Sequence, residues 1–257
     1  MTKITISIVT YNNEDSICRT LDSLFEYWPE NLSCHIFVMD NGSKDHTLQK
    51  LDGYRDKITL IHSEAGNIGF GAAHNLIIDR LDSEMHIIMN PDIILKDRQS
   101  IPVLYNYLAV HEDVGMVVPE ITDDQGHIQY LCRRELTVLD LFLRFFPGNL
   151  FRKRKEYHTM MDQDYEQPFD VEFASGCLMA VRTSLFKQLN GFDEGYFLYV
   201  EDADLTRRIN QIFRTVYIPE AVVYHDWQRE SYRKPAMTLI HIKSLLYYFR
   251  KWGFRFK

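Results

Sequence analysis

Apolar runs and helical patterns take turns along the first half of the chain. Residues 4–11, "ITISIVTY", combine alternation with β-branched side chains and predict a strand. In 14–28 the apolar Ile17, Leu21, Leu24 and Phe25 fall at i, i+4, i+7 and i+8, the spacing of an amphipathic helix with one buried face. Four further strands are predicted at 34–40, 57–63, 85–90 and 114–120, separated by helical patterns at about 44–52, 70–82 and 100–111. A βαβα succession of this kind implies an α/β fold, with a mostly parallel central sheet and helices on both faces. Ligands of such sheets bind beyond the carboxyl ends of the strands, near a switch in strand order.

The second half changes character. Residues 130–157 read as an apolar helix ending at Pro147, followed by the basic cluster Arg152–Lys155. Residues 169–209 bring a strand, a Gly-rich turn and a group of carboxylates, and 215–231 contain an apolar strand that delivers His225. Two units are expected, a main domain over 1–225 and a basic, aromatic helical tail over 226–257.

Composition narrows the class. With 46% hydrophobic and 25% charged residues, 257 residues are enough for a sizeable core. A net charge of −7 argues against a nucleic-acid binder. The tail departs from this balance, with eight Lys or Arg against two Asp or Glu in 226–257. Cys18, Cys34, Cys132 and Cys177 form no C-x-x-C pair and suit buried free thiols in a reducing compartment. The N-terminal apolar segment is too short and too alternating for a signal peptide, and no run approaches the ~20 apolar residues that span a bilayer. The cytoplasm is the expected location.

Four predicted strands end in polar, turn-like sequences: "TYNN", "DNGS", "SEAGNIGFG" and "NPD". Turn chemistry alone accounts for any one of them. Four on one sheet edge point to a site. Asp92, placed where a buried strand stops, and His225 together form a minimal ligand set for a divalent cation of the kind that handles phosphates. The imidazole tilts that preference toward Mn2+. Glu201, Asp202 and Asp204 crowd the start of a helical pattern. Acidic residues in a first turn suit the helix dipole, but crowding also raises the proton affinity of one member, which makes a carboxylate a usable base. Gly66, Gly69 and Gly71 are spaced G-x-x-G-x-G rather than in the dinucleotide-binding order. They remain suited to a loop whose backbone approaches a nucleotide.

Taken in order, "SIVTYNN" (7–13), "VMDNGSKD" (38–45), "GNIGFGAAHN" (66–75), "MNPDI" (89–93), "SGCLMAVR" (175–182), "GFDEGYFLYVEDADLTRR" (191–208) and "VVYH" (222–225) resemble the family-2 glycosyltransferases of the GT-A fold. The likeness is greatest to their bacterial rhamnosyltransferase branch, inverting enzymes that build O-antigens and cell-wall rhamnose polymers. The resemblance implies that Thr10, Asn12 and Asp40 contact the nucleotide, Asp40 accepting from the pyrimidine N–H. Asn67 and Gly69 would line the nucleotide pocket. Asn90 and Asp92 stand where the family has its D-x-D motif. The first acid is Asn here, so a Mg2+ or Mn2+ ion would rest on Asp92 and His225. Ser175 and Gly176 would shape the donor-sugar and acceptor region. Asp202 matches the catalytic base, with Glu201 and Asp204 open as contributors.

The implied reaction moves L-rhamnose from dTDP-β-L-rhamnose to a saccharide acceptor, lipid-linked in this branch. A UDP-sugar donor such as UDP-galactofuranose or UDP-GlcNAc stays open, because thymine and uracil offer Asp40 the same edge. A non-catalytic nucleotide-sugar-binding subunit of a polysaccharide assembly complex is the other alternative. Asp92, Asp202 and His225 together speak against it. A nucleotidyltransferase would need a basic phosphate loop where "TYNNEDS" is acidic.

Trp28, Tyr196 and Trp227 could stack on a sugar or fill the core. In the tail, Ile242, Leu245, Leu246, Phe249 and Trp252 are expected on one helical face, with Lys243, Arg250 and Lys251 elsewhere. That face fits an anionic inner-leaflet membrane surface, the domain itself, or a second subunit in a homodimer. Arg229, Tyr232 and Arg233 are candidates to close over the diphosphate.

Overall fold

The computed structural model describes residues 2–143, 151–226 and 235–256. The first half runs β1 (Thr2–Thr10), α1 (Ile17–Tyr27), β2 (Cys34–Asp40), α2 (Thr47–Leu51), β3 (Thr59–His62), α3 (Phe70–Asn75), β4 (Ser83–Met89), β5 (Ile93–Ile94), α4 (Ser100–Val110) and β6 (Val114–Thr122). It continues with α5 (Val138–Leu143), α6 (Arg152–His158), β7 (Phe169–Asp170), β8 (Leu178–Arg182), α7 (Thr183–Gln188), α8 (Glu201–Asn210), β9 (Arg214–His225) and α9 (Pro235–Trp252).

The sheet order is β3-β2-β1-β4-β8-β6-β9-β5, with β7 paired to β9. Strands β3, β2, β1, β4, β6 and β9 run in one direction. β8 is inserted antiparallel between β4 and β6, and the two-residue β5 and β7 pair antiparallel with β9. The central sheet is therefore mostly parallel, as the alternating pattern predicts. The order switches at β1, whose neighbours are β2 and β4.

Period-two alternation explains how the sheet divides its cores. Ile4, Ile6 and Ile8 of β1 enter one cluster with Leu21 and Leu24 of α1 and Leu104 and Leu108 of α4. On the other face, Val9 joins Ala73 of α3, Phe186 of α7, and Leu205 and Ile209 of α8. That face also carries buried polar groups that pair with one another, although His74 Nε2 is left without a hydrogen-bond partner. Thr5 Oγ1 lies 2.9 Å from His86 Nδ1, and Ser7 Oγ lies 2.7 Å from His74 Nδ1 and 3.0 Å from His86 Nε2. Pairing of this kind offsets the cost of burying hydroxyls and imidazoles.

The helix predicted from 130 to Pro147 does not form as one element. Arg133 exchanges backbone hydrogen bonds of 2.9 and 2.8 Å with Phe173, so the chain there is extended. Helix begins only at Val138, after Thr137, whose Oγ1 accepts from the Asp140 N–H at 3.2 Å and donates to Asp140 Oδ2 at 2.6 Å. The basic cluster lies in α6, and Pro147 falls outside the described residues. A third cluster, with Leu136, Phe173, Tyr196, Val200, Ala203, Tyr248 and Phe249, fixes α9 to α8 and the loop before it.

Candidate active site

At the carboxyl edge of the parallel half, Thr10, Asp40 and His62 stand in one register row across β1, β2 and β3. Asp40 is fully buried. Its Oδ1 accepts from Thr10 Oγ1 at 3.2 Å, and its Oδ2 accepts from the Gly42 and Ser43 N–H groups at 3.2 and 3.1 Å and lies 2.9 Å from His62 Nδ1. Asn12, in the left-handed region at φ 58°, accepts from the Lys44 N–H at 2.8 Å and thereby ties the turn after β1 to the turn after β2.

Asn41 organises the glycine loop. Its Nδ2 donates to Asn67 Oδ1 at 3.0 Å and to the Gly69 carbonyl at 3.1 Å, and its Oδ1 accepts from the Ile68 N–H at 3.0 Å. Gly69 has φ +99°, and a Cβ there would meet the Phe197 carbonyl oxygen at 2.4 Å. Only glycine serves at this position. The loop 66–69 is thus pressed against the segment that leads into α8.

β4 ends at Met89, and Asn90–Pro91–Asp92 turns into β5, where Ile93 pairs with His225. That pairing brings Asp92 Oδ2 to 3.4 Å from His225 Nε2. His225 Nδ1 lies 3.1 Å from Gln129 Oε1. An amide oxygen on that side accepts from an N–H at Nδ1, and Nε2 is the ring nitrogen that faces Asp92. Asp92 Oδ1 is buried without a hydrogen-bond partner. A carboxylate oxygen in that state, beside an imidazole nitrogen, fits a divalent cation. Among the described residues, no group of three or more His, Cys, Asp or Glu side chains converges as a metal cage. Asp92 and His225 are a pair.

Asp202 occupies the first turn of α8. Its Oδ2 accepts from the Gly176 N–H at 3.0 Å and its Oδ1 from the Ala203 N–H at 2.9 Å. Burial raises its affinity for a proton, while those two N–H groups and the charge of Arg133 oppose the shift. The side chain stays partly open to solvent. Burial, and then the charge of Asp202, push the Glu201 carboxyl well above the usual carboxylate range. Glu201 Oε2 has no hydrogen-bond partner.

The Ser175–Cys177 turn joins the two halves. Gly176 holds Asp202, the Cys177 carbonyl accepts from the Asn90 N–H at 2.9 Å, and Ser175 Oγ lies 3.2 Å from Cys177 Sγ. The Cys177 thiol is pushed up to about 12, chiefly by burial, and both Asp92 and Asp202 add to that shift.

Asp204 faces away from this turn. Fully buried, it accepts from Tyr196 OH at 3.3 Å, Trp252 Nε1 at 2.8 Å and Arg208 Nε at 2.8 Å, and pairs with Lys251 Nζ at 2.8 Å. It anchors α9 to α8. Tyr199 and Val200, just before α8, have φ of 70° and 72°. Two left-handed non-glycine residues in a row, one of them β-branched, cost about 1–3 kcal/mol each. They hold the start of α8 at a fixed angle.

Tyr196 is core, and Trp28 packs at the core edge with its Nε1–H donating to the Leu32 carbonyl at 2.7 Å. Trp227, Arg229, Tyr232 and Arg233 lie outside the described residues. The apolar face predicted for the tail is divided. Leu245, Phe249 and Trp252 turn inward with Tyr248, while Ile242 and Leu246 point outward. Asn41, His62, Gln129 and Arg133 were not among the predicted site residues. Two of them carried a readable signal: Asn41, inside the "DNGS" strand end, and His62, the polar end of a strand next to the one ending in Asp40.

The mostly parallel sheet, with polar turns after its strands, the Asp92–His225 pair and Asp202 at a helix start, has the GT-A fold of the glycosyltransferases. Known structures agree on the fold: GalNAc-T7 solved with UDP, GalNAc and Mn2+ superposes with a TM-score of 0.70 at 17% identity, over 98% of this chain and 48% of that one. The glycosyl transferase family 2 profile matches residues 5–189. The N-acetylglucosaminyl-diphospho-decaprenol L-rhamnosyltransferase of Mycobacterium tuberculosis (strain CDC 1551 / Oshkosh) is 30% identical over 251 residues, 92% of this chain and 80% of that protein. Rhamnosyltransferase WbbL of Escherichia coli (strain K12) is 26% identical over 253 residues, 95% and 91% of the two chains. The chain belongs to glycosyl transferase family 2, in its rhamnosyltransferase branch.

Proposed function

We propose that the protein transfers L-rhamnose from dTDP-β-L-rhamnose, with inversion, to a lipid-linked saccharide acceptor in cell-surface polysaccharide synthesis. The observation that carries this reading is the Ser175–Cys177 turn, which sets Asp202 against one side and the Asp92 turn against the other. An acceptor hydroxyl attacks the anomeric carbon as the bond to the diphosphate oxygen breaks, and its proton passes to Asp202. The carbon passes through an oxocarbenium-like state, and a single displacement inverts it. Asp92 and His225 would hold Mg2+ or Mn2+, which supplies Lewis-acid compensation for the charge on the leaving diphosphate. Thr10, Asn12, Asp40, Asn67, Gly69 and Asn90 are assigned to the nucleotide side, with Ser175 and Gly176 between donor sugar and acceptor.

The lipid-linked acceptor is proposed from the mycobacterial relative, whose name specifies a decaprenol diphosphate. It implies work at the inner, cytoplasmic face of a membrane. Among the described residues, no helix is long and apolar enough to cross one. A second reading, a UDP-sugar donor, is favoured by the UDP in the GalNAc-T7 structure. The test is release of nucleoside diphosphate from a panel of dTDP-rhamnose, UDP-GlcNAc and UDP-galactofuranose, with a lipid-linked GlcNAc acceptor, with and without EDTA. Metal-dependent turnover of dTDP-rhamnose supports the proposal. Turnover of a UDP-sugar alone overturns the donor.

A further inference from the structure

α9 has two faces with different occupants. The inner face is fully engaged: Ser244 Oγ donates to the Leu198 carbonyl at 2.8 Å, Trp252 Nε1 donates to Asp204, and Lys251 pairs with Asp193 at 2.6 Å. The outer face carries Leu239, Ile242, Lys243, Leu246 and Arg250, at i, i+3, i+4, i+7 and i+11, which is one continuous stripe of a helix. Leu239, Ile242 and Leu246 are 56%, 43% and 46% exposed. Lys243 and Arg250 are exposed as well and make no ion pair among the described residues, unlike Lys251 and Arg255, which have acidic partners. No Asp or Glu occurs between 235 and 256. Just beyond the helix, Phe254 and Phe256 are also exposed.

Unpaired cations set among exposed aliphatic side chains, on a chain whose net charge is −7, fit a surface that is negative and apolar at once. We propose that the outer face of α9 docks on an anionic lipid surface, with Ile242 and Leu246 entering the acyl boundary and Lys243 and Arg250 on headgroup phosphates. This rests on the lipid-linked acceptor proposed above. Because the inner face of the same helix grips Asp204 of α8, docking would place the helix that carries Asp202 at the surface where such an acceptor resides.

The experiment is vesicle co-sedimentation of the full chain, with neutral phosphatidylcholine vesicles and with vesicles containing phosphatidylglycerol, at low and high salt. The expected result is binding to anionic vesicles that weakens with salt. Each cation removed is expected to lower the partition by about fivefold, as about 1 kcal/mol per basic residue implies. The Lys243→Gln/Arg250→Gln variant should thus fall by about 25-fold. The Ile242→Glu/Leu246→Glu variant should lose binding, and both should keep wild-type turnover of a water-soluble acceptor. Equal binding to neutral and anionic vesicles, or unchanged binding of the Glu variant, overturns the proposal. So does a wild-type dimer in sedimentation equilibrium that the Glu variant dissolves, since a second copy would then own the face. Vesicle binding needs no donor, so a failure of dTDP-rhamnose turnover leaves this result readable.

Discussion

The proposed donor edge and the proposed base, Asp202, are held in place by different means. Around Asp40 and the glycine loop, the contacts come from neighbouring strand ends and the turns after them, through backbone N–H groups and short polar side chains. Around Asp202, the support is distant in sequence: Gly176 26 residues away, and an α9 that reaches Asp204 from 48 residues away through Trp252. Parallel strands deliver the donor edge as a consequence of the fold. The base depends on a turn, a strained helix start and a terminal helix acting together. Damage to α9 should therefore reach catalysis while sparing the nucleotide.

The largest effect that would sharpen this contrast is at the base itself. Asp202→Asn should lower kcat by about 10²–10⁴-fold, the usual worth of a general base, with nucleotide affinity by calorimetry unchanged. Asp204→Ala should come next as a loss of fold stability. It takes the buried carboxylate from Arg208 and the Trp252 indole, while Lys251 keeps Asp193, and breaking a buried ion pair by removing one partner costs about 3–5 kcal/mol. Urea unfolding would show it, and a shift under 1 kcal/mol would break the picture of Asp204 as the anchor of α9.

A smaller and graded effect concerns the buried histidines behind the donor edge. Burial lowers His86 to about 3 and holds His74 well below its ordinary value. The unfolded chain, with histidines near 6.5, then binds more protons than the folded one between those values. Their contribution to stability is therefore complete above about pH 6.5 and is lost as pH falls toward the folded values. Urea midpoints at pH 7.5, 6.5 and 5.5 should decline on the acid side, and less so in His86→Gln. A midpoint that rises as pH falls would contradict this. The smallest effect is expected at Glu201. Its carboxyl is held toward the protonated form, so Glu201→Gln should stay within about threefold of wild-type kcat, well short of the loss expected at the base.

The contrast also explains what the sequence made legible. Strand β2 was read at its observed limits, and Thr10, Asp40, Asp92 and Asp202 each sit at the strand or helix end that the pattern predicts. Those features are local, set by period-two runs closing in turn residues. The extended stretch at Arg133 escaped because its apolar residues look helical, and its pairing with Phe173 lies 40 positions away. The tail was read as one apolar face because periodicity cannot say which side of a helix will find a partner. Asp204 illustrates the same limit: its i, i+4 link to Arg208 is readable, but its bond to Trp252 is not.

At the centre of the proposed function is a division of labour, with Asp202 proposed to take the proton and the Asp92–His225 pair proposed to hold the cation. One assay tests it most directly: nucleoside diphosphate release by wild type, Asp202→Asn and Asp92→Asn across a Mn2+ titration, alongside calorimetric binding of the nucleotide. The account predicts that Asp202→Asn loses turnover yet keeps metal-dependent nucleotide binding, whereas Asp92→Asn loses the metal dependence of both. Wild-type turnover in Asp202→Asn, or an unchanged Mn2+ response in Asp92→Asn, would contradict it.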